Sequence, residues 1–137
     1  MRVAIDSNVI SGVWSAEPIA SLAVSQLDAA RRRGKLLICA PVYAELLAYP
    51  KASESFLEQF LRETSIVVDF EISEWIWREA VRRFSQYAAR RRRSSGAHPK
   101  RLLVDFLVGT HALLEADRLF TLDQGRYAKA FPELQLF

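Results

Sequence analysis

Two hydrophobic periods alternate along this chain. Val3-Ala4-Ile5, the run from Leu36 to Ala40, and Ile66-Val67-Val68 are short and continuously apolar, with polar or glycine positions nearby. Such runs predict strands buried on both faces. Leu119-Phe120-Thr121-Leu122 predicts a fourth strand and Leu134-Gln135-Leu136 a fifth. Between them the apolar residues recur at helical spacing. Ile19, Ala23, Leu27 and Ala30 share one face of a helix from about Pro18 to Arg33, which Gly34 stops. Pro41 suits the first helical position of a helix through Leu47. Pro50 closes that helix, and another covers Ser53 to Arg62. Ser73 is a good N-cap for a long helix from Glu74 to about Arg92, with Ile76, Ala80, Phe84, Tyr87 and Ala88 as its apolar stripe. Ser94 to Pro99 reads as a loop, and a last helix runs from about Arg101 to Glu115.

Buried strands alternating with amphipathic helices imply an α/β fold, a mostly parallel sheet covered on both faces. In such folds ligands bind beyond the C-terminal ends of the strands. That rule points to Asp6 and Asp123, each directly following a strand. Length and composition narrow the class further. At 137 residues, half of them apolar and with only five Gly and five Pro, the chain fits one globular domain and excludes a disordered or collagenous one. The lone cysteine, Cys39, forms no internal disulfide and reads as a reduced, buried thiol. No run resembles a signal peptide or a membrane span, so the cytoplasm is the expected compartment.

Most of the acidic residues read as solvent-face or first-turn charges, among them Glu54, Glu58, Glu63, Glu71, Glu74 and Glu79. Four sit differently. Asp6 ends a buried strand, Glu45 lies inside the apolar run Pro41 to Leu47, Asp105 interrupts Leu102 to Val108, and Asp123 follows Leu122. Each has an ordinary alternative: a turn cap at Asp6, a polar helix face at Glu45, a first-turn charge at Asp105, a turn initiator at Asp123. An ionised carboxylate in an apolar setting is costly, and four of them repel one another. A hard divalent cation, Mg²⁺ or Mn²⁺, resolves both problems with oxygen ligands and leaves positions for water and a phosphate oxygen. Asp117 reads as a surface cap and Glu17 as a first-turn acid. His111 lies six residues past Asp105, about 120° around the helix, and reads as a helix-face residue, while His98 lies in the loop.

With these motifs in order, the chain resembles the PIN-domain nucleases, and among them the VapC-type toxins of toxin–antitoxin pairs. The resemblance spans nearly the whole length. It rests on Val3 to Ile10, Pro41 to Leu46, Asp105 to Leu113, Leu119 to Asp123, Phe131-Pro132 and the closing Leu134-Gln135-Leu136. It implies a three-layer α/β/α sandwich and Mg²⁺- or Mn²⁺-dependent RNA cleavage. It also implies a homodimer restrained by a cognate antitoxin. The family's acidic quartet falls on Asp6, Glu45, Asp105 and Asp123, with Asn8 and Thr121 as supporting polar residues.

The formal net charge of +3 is unevenly spread. Nine basic residues against one acid give +8 between Arg78 and Arg101, leaving the remainder at −5. Arg90, Arg91, Arg92 and Arg93, with Lys100 and Arg101, lead directly into Asp105, and such a cluster attracts a phosphate backbone. A solvated helix end or a dock for an acidic partner tail are the other readings. Trp75 and Trp77 cannot share one helix face, so at least one is expected exposed; the resemblance makes these aromatics candidates for a dimer or antitoxin surface, while Phe56 and Phe60 read as core. The function expected is a metal-dependent endoribonuclease. Two rivals are a non-catalytic RNA- or partner-binding module on the same fold and a signalling receiver domain. The receiver needs an acidic pair after the first strand, where this chain has Ser7-Asn8.

Overall fold

The computed structural model describes residues 1–95 and 102–137. Four strands form one sheet: β1 (Arg2–Ile5), β2 (Lys35–Cys39), β3 (Ile66–Asp69) and β4 (Arg118–Phe120). All pair in parallel, in the order β3-β2-β1-β4. In register, Val3 stands opposite Leu36 on one side and Arg118 on the other, and Ile5 opposite Phe120. The helices are α1 (Ser7–Trp14), α2 (Ile19–Arg33), α3 (Ala40–Leu47), α4 (Glu54–Thr64), α5 (Glu74–Ser95), α6 (Leu103–Glu115) and α7 (Gln124–Ala128). Parallel crossovers are right-handed, which puts α1 to α4 on one face of the sheet and the packed pair α5 and α6 on the other. The parallel sheet covered on both faces, expected from the hydrophobic pattern, and the three layers implied by the resemblance are observed.

The chain moves outward from β1 to β3 and then returns to lay β4 on the far side of β1. That reversal makes the C-terminal ends of β1 and β4 a topological switch point, where a crevice opens. Beneath it the core is closed: Val3, Ile5, Ile38, Leu119 and Phe120 are buried, and Phe106 of α6 meets the rings of Phe84, Tyr87 and Phe131. The tail is drawn in by backbone bonds from Leu119 N to Gln135 O and from Phe137 N to Leu119 O, both 2.9 Å.

Several boundaries differ from the expectation. The polar trio after β1 does not simply end a strand. Asp6 caps α1 through Ser7 N at 2.8 Å, and the helix buries Val9 and Ile10. Asp123 likewise caps α7, so Thr121 and Leu122 leave the sheet. The fifth strand is reduced to a single bridge, Leu119 to Leu136. On α4 the buried residues are Leu57 and Leu61. Phe56 is exposed and Phe60 half-buried, both against the edge of Trp14. Trp75 and Trp77 are both exposed. The loop expected over Ser94 to Pro99 begins inside α5, and its positions from 96 onward lie outside the described residues. Among the described residues no helix is long and apolar enough to cross a membrane.

Two glycines answer to close approaches. A Cβ at Gly34 would stand 2.1 Å from the carbonyl oxygen of Met1, where Lys35 N bonds at 2.9 Å to begin β2 beside β1. A Cβ at Gly109 would stand 2.4 Å from Cε2 of the buried Phe131. The small face of α6 therefore receives the C-terminal aromatic.

Candidate functional site

Asp6 is placed by the end of β1 and is 2% exposed. Its Oδ2 accepts from the hydroxyls of Tyr127 at 2.8 Å and Thr121 at 2.9 Å, and from Asn8 Nδ2 at 3.3 Å. Its Oδ1 accepts only Ser7 N among the described residues, at 2.8 Å, and so keeps further acceptor capacity. Burial pushes the Asp6 carboxyl above its ordinary range, and the bonds from Tyr127, Thr121 and Ser7 oppose that rise.

Asn8 and Thr121 lock the two switch-point strands together. Asn8 Nδ2 also donates to Thr121 Oγ1 at 3.1 Å, and Asn8 Oδ1 accepts from Leu122 N at 3.0 Å. Thr121 Oγ1 accepts from Asp123 N at 3.1 Å while donating to Asp6. The end of β1 and the turn after β4 are thus held in one register around a single carboxylate.

The other three acids come from three further elements. Glu45, on α3, keeps solvent access, and its Oε1 accepts from the Ser7 hydroxyl at 3.1 Å. Partial desolvation lifts its carboxyl, and the charges of Asp6 and Asp105 add to the lift. Asp105 lies in the first turn of α6, where its Oδ2 accepts from Leu102 N at 3.2 Å. Asp123 caps α7 by accepting from Arg126 N at 3.2 Å. Asp6, Asp105 and Asp123 therefore each lie at a helix N-terminus, where the helix dipole favours negative charge. The cap expected of Asp6 is observed; Asp105, expected as a first-turn charge, and Asp123, expected as a turn initiator, cap α6 and α7, and all four acids lie within electrostatic reach of Arg126.

Arg126 lies among them. Its Nη1 is 3.6 Å from Asp105 Oδ1, and its Nε 3.3 Å from Asp123 Oδ2. Among the described residues no three His, Cys, Asp or Glu side chains converge tightly enough to hold an ion as they stand. The set nonetheless fits a hard cation: the donors are all carboxylates, and a guanidinium already bridges two of them.

Beside the acids, α5 and α7 wall a groove of about 580 Å³. Tyr87, Arg90, Arg91, Asp123, Arg126 and Lys129 line it. Arg92 and Arg93 are exposed on the last turn of α5, outside this lining. Lys100 and Arg101 lie outside the described residues. Asp117 is far from the acids in role: its Oδ2 accepts Arg2 N at 2.6 Å at the opposite end of β1. His111 is buried on α6 with Nε2 2.9 Å from Asp69 Oδ2, away from the crevice.

Sequence reasoning passed over three residues. Ser7 bridges Asp6 to Glu45, Tyr127 steadies Asp6, and Arg126 spans Asp105 and Asp123. A signal existed for two of them. Arg126 and Tyr127 follow Asp123 by three and four residues, the spacing that brings side chains onto the face above a helix start.

Solved structures share this fold. A chain of VapBC2 from Rickettsia felis, bound to a DNA fragment from the promoter, superposes with a TM-score of 0.66 at 20% identity, covering 100% of this chain and 98% of that one. VapBC-1 from nontypeable Haemophilus influenzae gives 0.63 at 21% identity, covering 100% and 97%. FitAcB from Neisseria gonorrhoeae gives 0.57 at 18% identity, covering 98% and 96%. No curated protein sequence matches the chain significantly. The family model for the PIN domain matches residues 3–132. With that match across almost the entire sequence and four acids gathered at the switch point of its sheet, the chain belongs to the PIN-domain family.

Proposed function

We propose that this PIN domain is a divalent-metal-dependent endoribonuclease and the toxin of a toxin–antitoxin pair. PIN domains are generally nucleases. The observation that carries the reading is the meeting of Asp6, Glu45 and Asp105, from the end of β1, α3 and α6: Ser7 joins Asp6 to Glu45, Arg126 pairs with Asp105, and the charges of Asp6 and Asp105 raise the Glu45 carboxyl. A carboxylate cluster of this kind is costly unless a cation joins it.

Asp6, Glu45, Asp105 and Asp123 would hold one or two Mg²⁺ or Mn²⁺ ions. When bound, the ion supplies a water of lowered pKa and polarises a phosphoryl oxygen for in-line attack. The chain's own residues do the rest. Asn8 and Thr121 keep the Asp6 carboxylate oriented by donating to its Oδ2, which leaves acceptor capacity on Oδ1. Glu45, the most solvent-accessible of the three and raised by burial and by the charges of the other two, takes the proton from the attacking water. Arg90 and Arg91 on the groove wall and Arg92 and Arg93 on the last turn of α5, with Lys100 and Arg101 next in the basic segment of the sequence, draw in the RNA backbone.

The antitoxin partner is proposed from the fold neighbours, which were solved as VapBC2, VapBC-1 and FitAcB. A homodimer is proposed on the same likeness. Sequencing RNA 5′ ends after brief expression of the wild type and of Asp6→Asn tests the reading in cells. Discrete new 5′ ends are expected with the wild type alone. Identical end profiles for the two proteins would remove the nuclease reading and favour a non-catalytic binding module.

A further inference from the structure

We infer that Arg126 is an exchangeable cation of the site: it neutralises Asp105 and Asp123 before a divalent ion binds, and meets substrate phosphate in the adjoining groove once that ion has displaced it. The inference rests on the metal-nuclease reading and concerns a residue which that reading leaves without a task.

Three observations bear on it. The guanidinium spans acids from two different helices, 3.6 Å from Asp105 and 3.3 Å from Asp123, the place where a shared cation would neutralise both. Arg126 also lines the groove that runs away from the acids past Arg90 and Lys129, so one side chain borders both compartments. Finally, its backbone is anchored while its side chain reaches solvent. Arg126 N is held by the Asp123 cap at 3.2 Å, whereas the side chain is 40% exposed and, among the described residues, forms its ion pairs with the partly exposed carboxylates of Asp105 and Asp123.

Physical chemistry sets the order of events. An arginine cannot shed its proton at ordinary pH, so it and a divalent ion cannot share the same carboxylate oxygens at low cost. The ion carries twice the charge and accepts several oxygens at once, so it wins the acids. The guanidinium then turns about its own χ angles into the groove, where its planar fork suits a phosphate. No bond is made or broken in this exchange. A salt bridge that merely ties α7 to α6 is the competing account, and it makes different predictions.

Mn²⁺ binding followed by electron paramagnetic resonance at pH 8, where the acids are ionised, separates them. Arg126→Gln removes the competitor, and the protein binds Mn²⁺ roughly three- to tenfold more tightly than wild type, the scale of two partly exposed ion pairs. Arg126→Lys, with a cation but no fork, falls between. Anisotropy with a hydrolysis-resistant phosphorothioate RNA oligomer supplies the second arm. With Mn²⁺ present, Arg126→Gln weakens RNA binding and lowers its salt slope by about 0.7, one phosphate contact. Without Mn²⁺ the substitution has a smaller effect, because the arginine is then engaged with the acids. Unchanged or weaker Mn²⁺ binding in both variants overturns the inference while leaving the nuclease reading intact. A folded wild-type protein that binds no Mn²⁺ overturns both.

Discussion

At the residue scale, Asp6 concentrates the tension of the site. It is almost fully buried, yet its proposed task needs the carboxylate ionised. Burial raises its pKa, and Tyr127 is the first of the groups that pull it back. Tyr127→Phe removes one buried donor, at a cost to stability of about 1 kcal/mol. It should cut metal-dependent cleavage about 10- to 100-fold, the usual effect of removing a partner that orients a ligand. The acid limb of its pH–rate profile should shift upward, because Asp6 then ionises at higher pH. The same pKa has a stability sign. A carboxyl raised in the folded state binds its proton more tightly there than in the unfolded chain, so stability declines as pH rises from the ordinary value of 3.8 through the raised one. In chelator, Asp6→Asn should therefore melt above wild type at pH 7, and the gap should close in acid below the ordinary value. Equal melting temperatures at both pH values would contradict this assignment of Asp6. The four acids were legible because each breaks an apolar pattern. Tyr127 and Arg126 break none, and only the folding of α7 over the end of β1 brings them to the site.

At the scale of elements, strong periodicity locates the long helices, and Ser73 and Gly34 cap them as expected, whereas the short helices after the strands leave no such stripe. Each of α2, α4 and α5 has an apolar stripe long enough to declare itself, and all were anticipated within a few residues. The two short helices α1 and α7 begin at the polar residues that end β1 and follow β4, so the same aspartates signal a stop and a start. Gly109 tests the packing between α6 and the tail. Alanine in a helix interior normally gains about 1 kcal/mol over glycine. Here the new methyl would lie 2.4 Å from a Phe131 ring that is itself wedged against Phe106 and Tyr127. Overpacking of this kind costs about 1–3 kcal/mol, so the clash outweighs the propensity. Gly109→Ala should lower the urea midpoint. An unchanged or higher midpoint would mean that Phe131 yields freely.

At the scale of the molecule, the modest +3 conceals a division into a +8 segment and a −5 remainder that contains the four acids. The fold makes that division spatial: Arg90 and Arg91 of α5 share a groove with Asp123 of the acidic crevice. Charge along the sequence announced the two parts, but their contact depends on α5 and α7 facing each other, which no local pattern encodes. Replacing Arg90 to Arg93 together with glutamine should weaken RNA binding. The salt slope should fall by about 0.7 for each arginine that meets a phosphate, with Mn²⁺ affinity unchanged. Unchanged RNA affinity would return the cluster to a solvated helix end.

The central claim is that the crevice at the ends of β1 and β4 cuts RNA with a divalent ion. The most direct measurement is cleavage of an RNA panel by the protein purified free of any partner, in Mg²⁺ or Mn²⁺ and in chelator, beside Asp6→Asn and Glu45→Gln at equal purity. The account predicts cleavage by the wild type that stops in chelator and falls at least about 100-fold in both variants, roughly 3 kcal/mol of lost transition-state stabilisation. Wild-type cleavage no greater than that of Asp6→Asn, or cleavage indifferent to chelator, would contradict it.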